Sequence, residues 1–337
     1  MKSRHTFLMF IYLFNICFLS TTNQKKVYIH YKTGYSLECY YLYKVDFYTE
    51  LFHPDYIIDV GHESNNLENY DYIVTDEVPK DDTVLKNLSK YPHEKLLLFN
   101  FEPPIDQVRS QNILYHALYS KIFTWNDQFI NSDKNKYYKL SFPWMNPPKP
   151  TEERAFNEKK LCVLVAGNNA SPVAYENYSK RKDLIDFFER KKGNDFDFYG
   201  VGWSYAYKNW RGAIPANGNL RNAKVQIIKN YKFDICYENY KNVYGYISER
   251  IFDAFLAGSV PVYMGALNIT DYVPSDCFID RNKFNNNEDL YNFLKNMSEE
   301  AYNQYRYHIK QFLENNGGYQ LSSNYQIKQI KKVLHIS

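Results

Sequence analysis

The stretch Cys236-Tyr-Glu-Asn-Tyr-Lys-Asn-Val-Tyr-Gly-Tyr-Ile-Ser-Glu-Arg-Ile-Phe-Asp-Ala-Phe-Leu-Ala-Gly-Ser-Val-Pro-Val-Tyr-Met-Gly265 decides the architecture. An apolar run, Lys232–Tyr237, enters it as a strand and delivers Glu238 and Asn239 to the strand's carboxyl end. A Tyr/Gly loop follows. Ser248 then predicts a helix cap, with Ile251, Phe252, Phe255 and Leu256 on one side and Gly258 as the stop. Val260–Met264 is the next strand. Strand, loop, helix and strand in this order form a βαβ unit with a parallel sheet. Glu249 and Arg250 open its helix, where an anion is favoured and a guanidinium adds a charge-assisted fork. A solvated first turn is the bland alternative.

The same pattern extends in both directions. Lys160–Ala166 and Phe196–Tyr199 predict further strands. A helix capped by Ser179 lies between them, carrying Arg181 in its first turn and Leu184, Ile185, Phe187 and Phe188 inward. A helix from about Asn222 to Lys229 and a helical stretch from Glu288 to Glu314, broken near Ser298, complete this half. Upstream, Val27–Tyr31, Tyr56–Val60, Tyr70–Thr75, Lys95–Phe101 and Lys121–Trp125 read as strands, and Gln107–Leu118 has helical spacing. Pro143, Pro147, Pro148 and Pro150 cannot sit in helix or central strand, so they mark a linker. The expected organisation is a segment 1–25, an α/β domain 26–145, a linker 146–158, an α/β domain 159–316 and a tail 317–337. Two Rossmann-like halves of this kind leave a cleft between them.

A third candidate is Leu96-Leu-Leu-Phe-Asn-Phe-Glu-Pro-Pro104, an apolar strand that stops at Glu102. A carboxylate there, partly desolvated by a cleft, can act as a general base. An ordinary loop-entry glutamate fits the spacing too.

Composition narrows the partners. The chain has 337 residues, 45% hydrophobic and 23% charged, with 41 Lys+Arg against 38 Asp+Glu. A net charge of +3 makes no case for nucleic acid. The 34 tyrosines suit stacking on sugars, or reflect a Lys/Asn/Tyr-rich coding bias. Five cysteines without a CxxC pair exclude structural zinc, and no DxD-type pair at a strand end indicates a metal on a diphosphate. Phosphate loops, GxSxG elbows, HExxH and GxGxxG are absent. Lys2 and Arg4 precede the apolar run Phe7–Leu19, which is short for a full span and matches a signal peptide or short anchor. Five Asn-x-Ser/Thr sequons (Asn87, Asn169, Asn177, Asn268 and Asn296) fit a secretory lumen, although an Asn-rich chain yields some by chance.

Residues 231–284 resemble the donor-binding region of the α-1,3/1,4-fucosyltransferases, glycosyltransferase family 10. The family pattern stands here as Tyr237-Glu-Asn239, Gly245-Tyr-Ile-Ser-Glu-Arg250, Gly258-Ser-Val-Pro-Val-Tyr-Met-Gly265, Asp271-Tyr-Val-Pro274 and Cys277-Phe-Ile-Asp280. Tyr178-Ser-Lys-Arg181, Phe196-Asp-Phe-Tyr-Gly200, Lys121-Ile-Phe-Thr-Trp-Asn-Asp127 and Asn100-Phe-Glu-Pro103 extend the likeness over most of 95–315. Arg250 departs from the family's usual Lys, and the C-terminal CxxC of many Golgi members is missing.

The resemblance implies a GT-B fold and inverting transfer of L-fucose from GDP-β-L-fucose to a glycan hydroxyl, α-1,3 to GlcNAc or Glc. It puts Glu102 at the general-base position. Arg181, Asn239, Tyr246, Glu249 and Arg250 fall at donor-binding positions, with no resident cofactor and a divalent metal at most stimulatory. It also implies a membrane-associated or secretory setting, Golgi in a eukaryote, or a bacterial cell envelope or cytoplasm. The competing expectations are an exostosin-like inverting transferase using a UDP-sugar, and a glycan-binding protein without catalysis.

Overall fold

Apolar runs buried on both faces are the signature of parallel strands covered by helices, and both halves of the chain are built this way. The computed structural model describes residues 24–31, 45–141, 150–215, 220–315 and 317–337. The first half has β1 (Lys25–His30), β2 (Tyr56–Gly61), β3 (Tyr72–Asp76), β4 (Leu96–Asn100), β5 (Lys121–Thr124) and β6 (Tyr137–Lys139). They lie in the order β2-β1-β3-β4-β5-β6, all parallel. Its helices are α1 (Val45–Phe52), α2 (Asp82–Leu88), α3 (Ile113–His116) and α4 (Asp127–Ser132).

The second half has β7 (Lys160–Val165), β8 (Phe196–Tyr199), β9 (Tyr231–Tyr237), β10 (Val260–Met264) and β11 (Ile279–Asp280), in the parallel order β11-β10-β9-β7-β8. Its helices are α5 (Tyr178–Arg190), α6 (Leu220–Ile228), α7 (Arg250–Leu256), α8 (Asn287–Lys295) and α9 (Glu299–Glu314). The break near Ser298 is a cap: its Oγ accepts from the Ala301 N–H at 3.1 Å. Pairing of Tyr237 with Met264 and of Val165 with Tyr199 aligns the carboxyl ends of four strands, the edge at which open α/β sheets bind ligands.

Three expectations need correction. Gln107–Leu118 is not one helix. It holds a 3-10 turn, Arg109–Gln111, and the four-residue α3, because the Asn112 side chain accepts from the Leu114 N–H (3.0 Å) and restarts the helix. Ile113 and Leu114, the apolar residues behind the helical spacing, are exposed. Ser179 does not cap its helix, and Ser248, one residue before the cap position, reaches its helix only through a long bond from the Arg250 N–H, for reasons given below.

Residues 317–337 hold a helix, α10 (Ser323–Leu334), whose Ile327, Ile330 and Leu334 join the core of the first sheet beside Val27, Leu51 and Phe99. The chain therefore crosses back to its amino-terminal half. Asn177 is fully buried, which removes that sequon as a glycan site. The apolar run Phe7–Leu19 and most of the proline linker lie outside the described residues. Among the described residues, no helix is long and apolar enough to cross a membrane.

The halves meet at Trp125–Asp127. Asp127 Oδ2 accepts from Asn268 Nδ2 (2.9 Å) and from the Tyr272 hydroxyl (2.8 Å), while Lys139 Nζ donates to Oδ1 at 2.7 Å. The Trp125 ring packs edge-on against Tyr246. Gly245 passes this seam at φ 91°, where an added Cβ would lie 2.3 Å from the Trp125 carbonyl. Gly245→Ala is therefore expected to destabilise the protein by about 2 kcal/mol or more, from backbone strain plus a backbone clash. Gly212 has the same φ of 91° with nothing within 4 Å, so Gly212→Ala carries the strain alone. Urea midpoints of the two variants separate the contributions; equal losses would show that the seam can yield.

Candidate active site

Glu238 anchors the site from beneath. It is 0% exposed, and its carboxylate accepts from the Ser248 N–H (2.8 Å) and the Ser248 hydroxyl (2.6 Å). Burial raises its pKa, opposed by Arg250 and these two bonds. The Ser248 hydroxyl thus donates to Glu238 while its Oγ accepts from the Arg250 N–H over a long 3.4 Å. The helix starts at Arg250 itself and runs seven residues, so positive charge there comes from the guanidinium more than from the dipole. Gly265 leaves room for Glu238, since a Cβ would come within 2.5 Å of its Cγ.

Arg181 reaches the same place from α5. The start of that helix is held by Glu176, whose carboxylate accepts from the Ser179 N–H (2.9 Å) and the Ser179 hydroxyl, which is why Ser179 lies inside the helix instead of capping it. Arg181 is 2% exposed. Its Nε and Nη2 donate to the Tyr237 carbonyl (3.2 and 2.5 Å), and Nη2 donates to Asn239 Oδ1 at 2.8 Å. Arg250 Nη1 donates to the Val165 carbonyl (3.0 Å) and Nη2 approaches the same Asn239 Oδ1 at 3.4 Å.

Two guanidiniums therefore converge on one amide oxygen, and the acceptors they share these bonds with are neutral. Burial, and then Arg250, push the Arg181 pKa down to about 9, which leaves it a cation at neutral pH. Like charges held this close favour an anion between or beside them.

Glu249 sits on the flank of this pair. Burial alone would raise its carboxyl, but Lys224, Arg250 and Arg221 hold it at about 2. Lys224 Nζ lies 3.6 Å from Glu249 and 2.9 Å from Asp253, and Arg221 bonds Asp253 at 2.7 Å. An ionised Glu249 is a pure acceptor, suited to hydroxyl groups. Tyr246 is buried against Trp125 in the seam, and burial and the surrounding carboxylates, Glu238 and Glu102 first among them, raise its pKa well above that of a free phenol.

Glu102 comes from the other half, just past β4, with its side chain half-buried. Its main chain is fixed on three sides. The Glu102 N–H donates to Glu77, and its carbonyl accepts from Gln111 Nε2 (3.2 Å) and Trp125 Nε1 (3.3 Å). Tyr178 lies at the amino end of α5. Burial drives that hydroxyl up to about 12, Asp106 and Glu102 adding to the rise while Arg181 and Arg250 oppose it. Trp125 ties the two halves here, donating to the Glu102 carbonyl and packing its ring on Tyr246 of the second half, so Glu102 stands at the seam on which the arginine-bearing half closes.

The structure brings together Glu102, Arg181, Asn239, Tyr246 and Arg250, with Glu249 beside them. Sequence reasoning missed Glu77 and the ion-paired set Arg221, Lys224 and Asp253. Among the described residues, no group of three or more His, Cys, Asp or Glu side chains is placed to hold a metal ion.

The model of glycosyltransferase family 10 (fucosyltransferase), C-terminal part, matches residues 158–329, which include Arg181 and the whole Glu238–Gly265 unit. The chain belongs to this family. The α-(1,4)-fucosyltransferase of Arabidopsis thaliana is 38% identical over 80 residues, covering 23% of this chain and 20% of that one. The human 4-galactosyl-N-acetylglucosaminide 3-α-L-fucosyltransferase 9 is 26% identical over 227 residues, 66% of this chain and 55% of the relative. The chain thus spans about half the length of that relative. A crystal structure of an α1,3-fucosyltransferase with GDP superimposes with a TM-score of 0.57 at 15% identity, covering 87% of this chain and 84% of that one. The fold of this family 10 chain is accordingly GT-B, with two Rossmann-like halves.

Proposed function

We propose that the protein transfers L-fucose from GDP-β-L-fucose, with inversion, to a hydroxyl of a glycan acceptor, α-1,3 to GlcNAc or Glc. The observation that carries this is the convergence of Arg181 and Arg250 on Asn239 opposite Glu102. The acceptor oxygen forms the new bond to the anomeric carbon as its proton passes to Glu102. The bond from that carbon to the β-phosphate oxygen breaks, and its electron pair leaves with GDP. Arg181 and Arg250 stabilise the charge developing on the diphosphate, where fixed cations act best. Glu249 accepts from hydroxyls of the donor, and a divalent metal is optional. Residues 1–25 would carry the chain to a membrane or a secretory compartment.

The test pairs binding with turnover. GDP at a hundred times its Kd is expected to stabilise the protein by about 2.7 kcal/mol, and UDP to do so far less. GDP-fucose is then supplied with N-acetyllactosamine, a chitobiose core or lactose. Stabilisation by UDP alone, or turnover of a UDP-sugar in place of GDP-fucose, would reassign the donor to the exostosin-like class. Tight GDP binding with neither transfer nor donor hydrolysis would leave a glycan-binding protein.

A further inference from the structure

Glu77 follows β3 with φ at 74°, the left-handed region that costs a side-chain-bearing residue on the order of 1 kcal/mol. It is 2% exposed. Both features are unfavourable in themselves, since a buried carboxylate is stable only when strongly hydrogen-bonded. Its Oε1 turns to the end of β4. Oε1 accepts from the Phe101 N–H at 2.6 Å and from the Glu102 N–H at 2.8 Å, while the Glu77 N–H donates to the Phe99 carbonyl at 3.0 Å.

Pro103 and Pro104 follow Glu102 and have no N–H, so a ladder bond to a neighbouring strand cannot continue there. The left-handed turn at Glu77 aims its side chain at the two N–H groups that end the strand. The next residue is fixed as well: the Val78 N–H donates to Ser110 Oγ (2.8 Å), and Asn100 Nδ2 donates to the Ser110 carbonyl (2.7 Å).

We propose that Glu77 is a positioning residue for Glu102. Its single carboxylate oxygen gathers the two amide N–H groups on either side of Phe101 and so sets the direction in which the Glu102 side chain enters the crevice. Charge-assisted bonds of this kind are about twice as strong as neutral ones. Backbone strain is retained where a fold over-determines it, and here the determined object is the residue proposed to take the acceptor's proton. The inference rests on that reading of Glu102.

The experiment compares Glu77→Gly, Glu77→Gln, Glu102→Gln and the double variant Glu77→Gly/Glu102→Gln in kcat, donor KM and GDP-induced thermal shift. Glycine accepts the positive φ without strain but removes the carboxylate. Glu77→Gly is expected to lower kcat roughly 10- to 100-fold with donor KM and the GDP shift unchanged, as misplacement of a reacting group does. Glu77→Gln, whose amide oxygen can still accept both N–H groups, recovers most of that loss. The double variant is no slower than Glu102→Gln.

Wild-type kcat in Glu77→Gly overturns the proposal, and so does parallel loss of the GDP shift, which would mark a general structural role. Independent, multiplying effects in the double variant overturn it too. If Glu77→Gly does not fold, Glu77→Asp keeps the charge but withdraws it by one methylene and carries the same expectation. Full transfer by Glu102→Gln removes the base itself, an outcome distinct from an inactive Glu102→Gln beside a normal Glu77→Gly.

Discussion

Glu102→Gln is expected to lower the transfer rate by about 10²- to 10⁴-fold while GDP stabilises the variant as it does the parent protein. The substitution keeps volume and planarity, and the main-chain contacts of this residue survive it. Its N–H is held by Glu77, and its carbonyl by Gln111 and Trp125. None of these depends on the side-chain charge, so the loop keeps its course. What changes is the ability to accept a proton, which an amide lacks.

A sugar hydroxyl attacks poorly unless its proton leaves during attack, so the deficit should fall on kcat. The proposed donor site lies on the opposite half, at Arg181, Asn239 and Arg250, and should be spared. Initial rates with a saturating acceptor, set beside the GDP thermal shift, test both parts. An active Gln variant would take Glu102 out of the reaction. Loss of the GDP shift would make it a structural support of the donor half instead.

Much of the second half was legible because its signals are local. The apolar runs that become β7, β9 and β10 are bounded by Gly or polar residues within a few positions, and Glu238, Asn239 and Arg250 follow from their places at strand and helix ends. The two serines depart from simple caps because the N–H and the hydroxyl of each donate to a glutamate. Glu176 is three residues from Ser179, and Glu238 is ten from Ser248. Glu176 accepts from the Ser179 N–H itself, so the helix begins before that serine, while Glu238 holds the Ser248 N–H and hydroxyl and leaves the Ser248 oxygen a long bond to the Arg250 N–H.

Glu77 was not legible at all. Its partners lie 24 and 25 residues away, and nothing in a glutamate's identity announces φ 74°. Helix α10 is an intermediate case. Ile327, Ile330 and Leu334 have helical spacing that marks an amphipathic segment. The sheet they cover is set by tertiary contacts such as the Ser141 N–H to Gln326 Oε1 bond, across 185 residues.

Arg250→Ala is expected to weaken donor binding about 100-fold, close to 3 kcal/mol, with a smaller effect on the rate at saturation. The two guanidiniums are supported very differently. Arg181 is almost wholly buried and makes three hydrogen bonds, two of them to the Tyr237 carbonyl at the end of a central strand. Its removal would leave that strand end unsatisfied and confuse binding with folding. Arg250 is partly open and makes one bond to Val165 and a long one to Asn239, so its loss strips charge from the site at lower structural cost.

The alanine variant also relieves Arg181 of a like charge, which lets the Arg181 pKa rise and recovers a little stability in the empty protein. That gain belongs to the free state and weakens binding further, because the ligand no longer relieves a repulsion. Arg250→Lys separates charge from shape: an ammonium keeps the positive charge but not the planar fork, so its affinity should fall between the other two. Calorimetric titration with GDP across the three proteins measures the series. Equal affinities would mean that the diphosphate is held elsewhere, and a lysine variant as weak as alanine would mean that fork geometry outweighs charge.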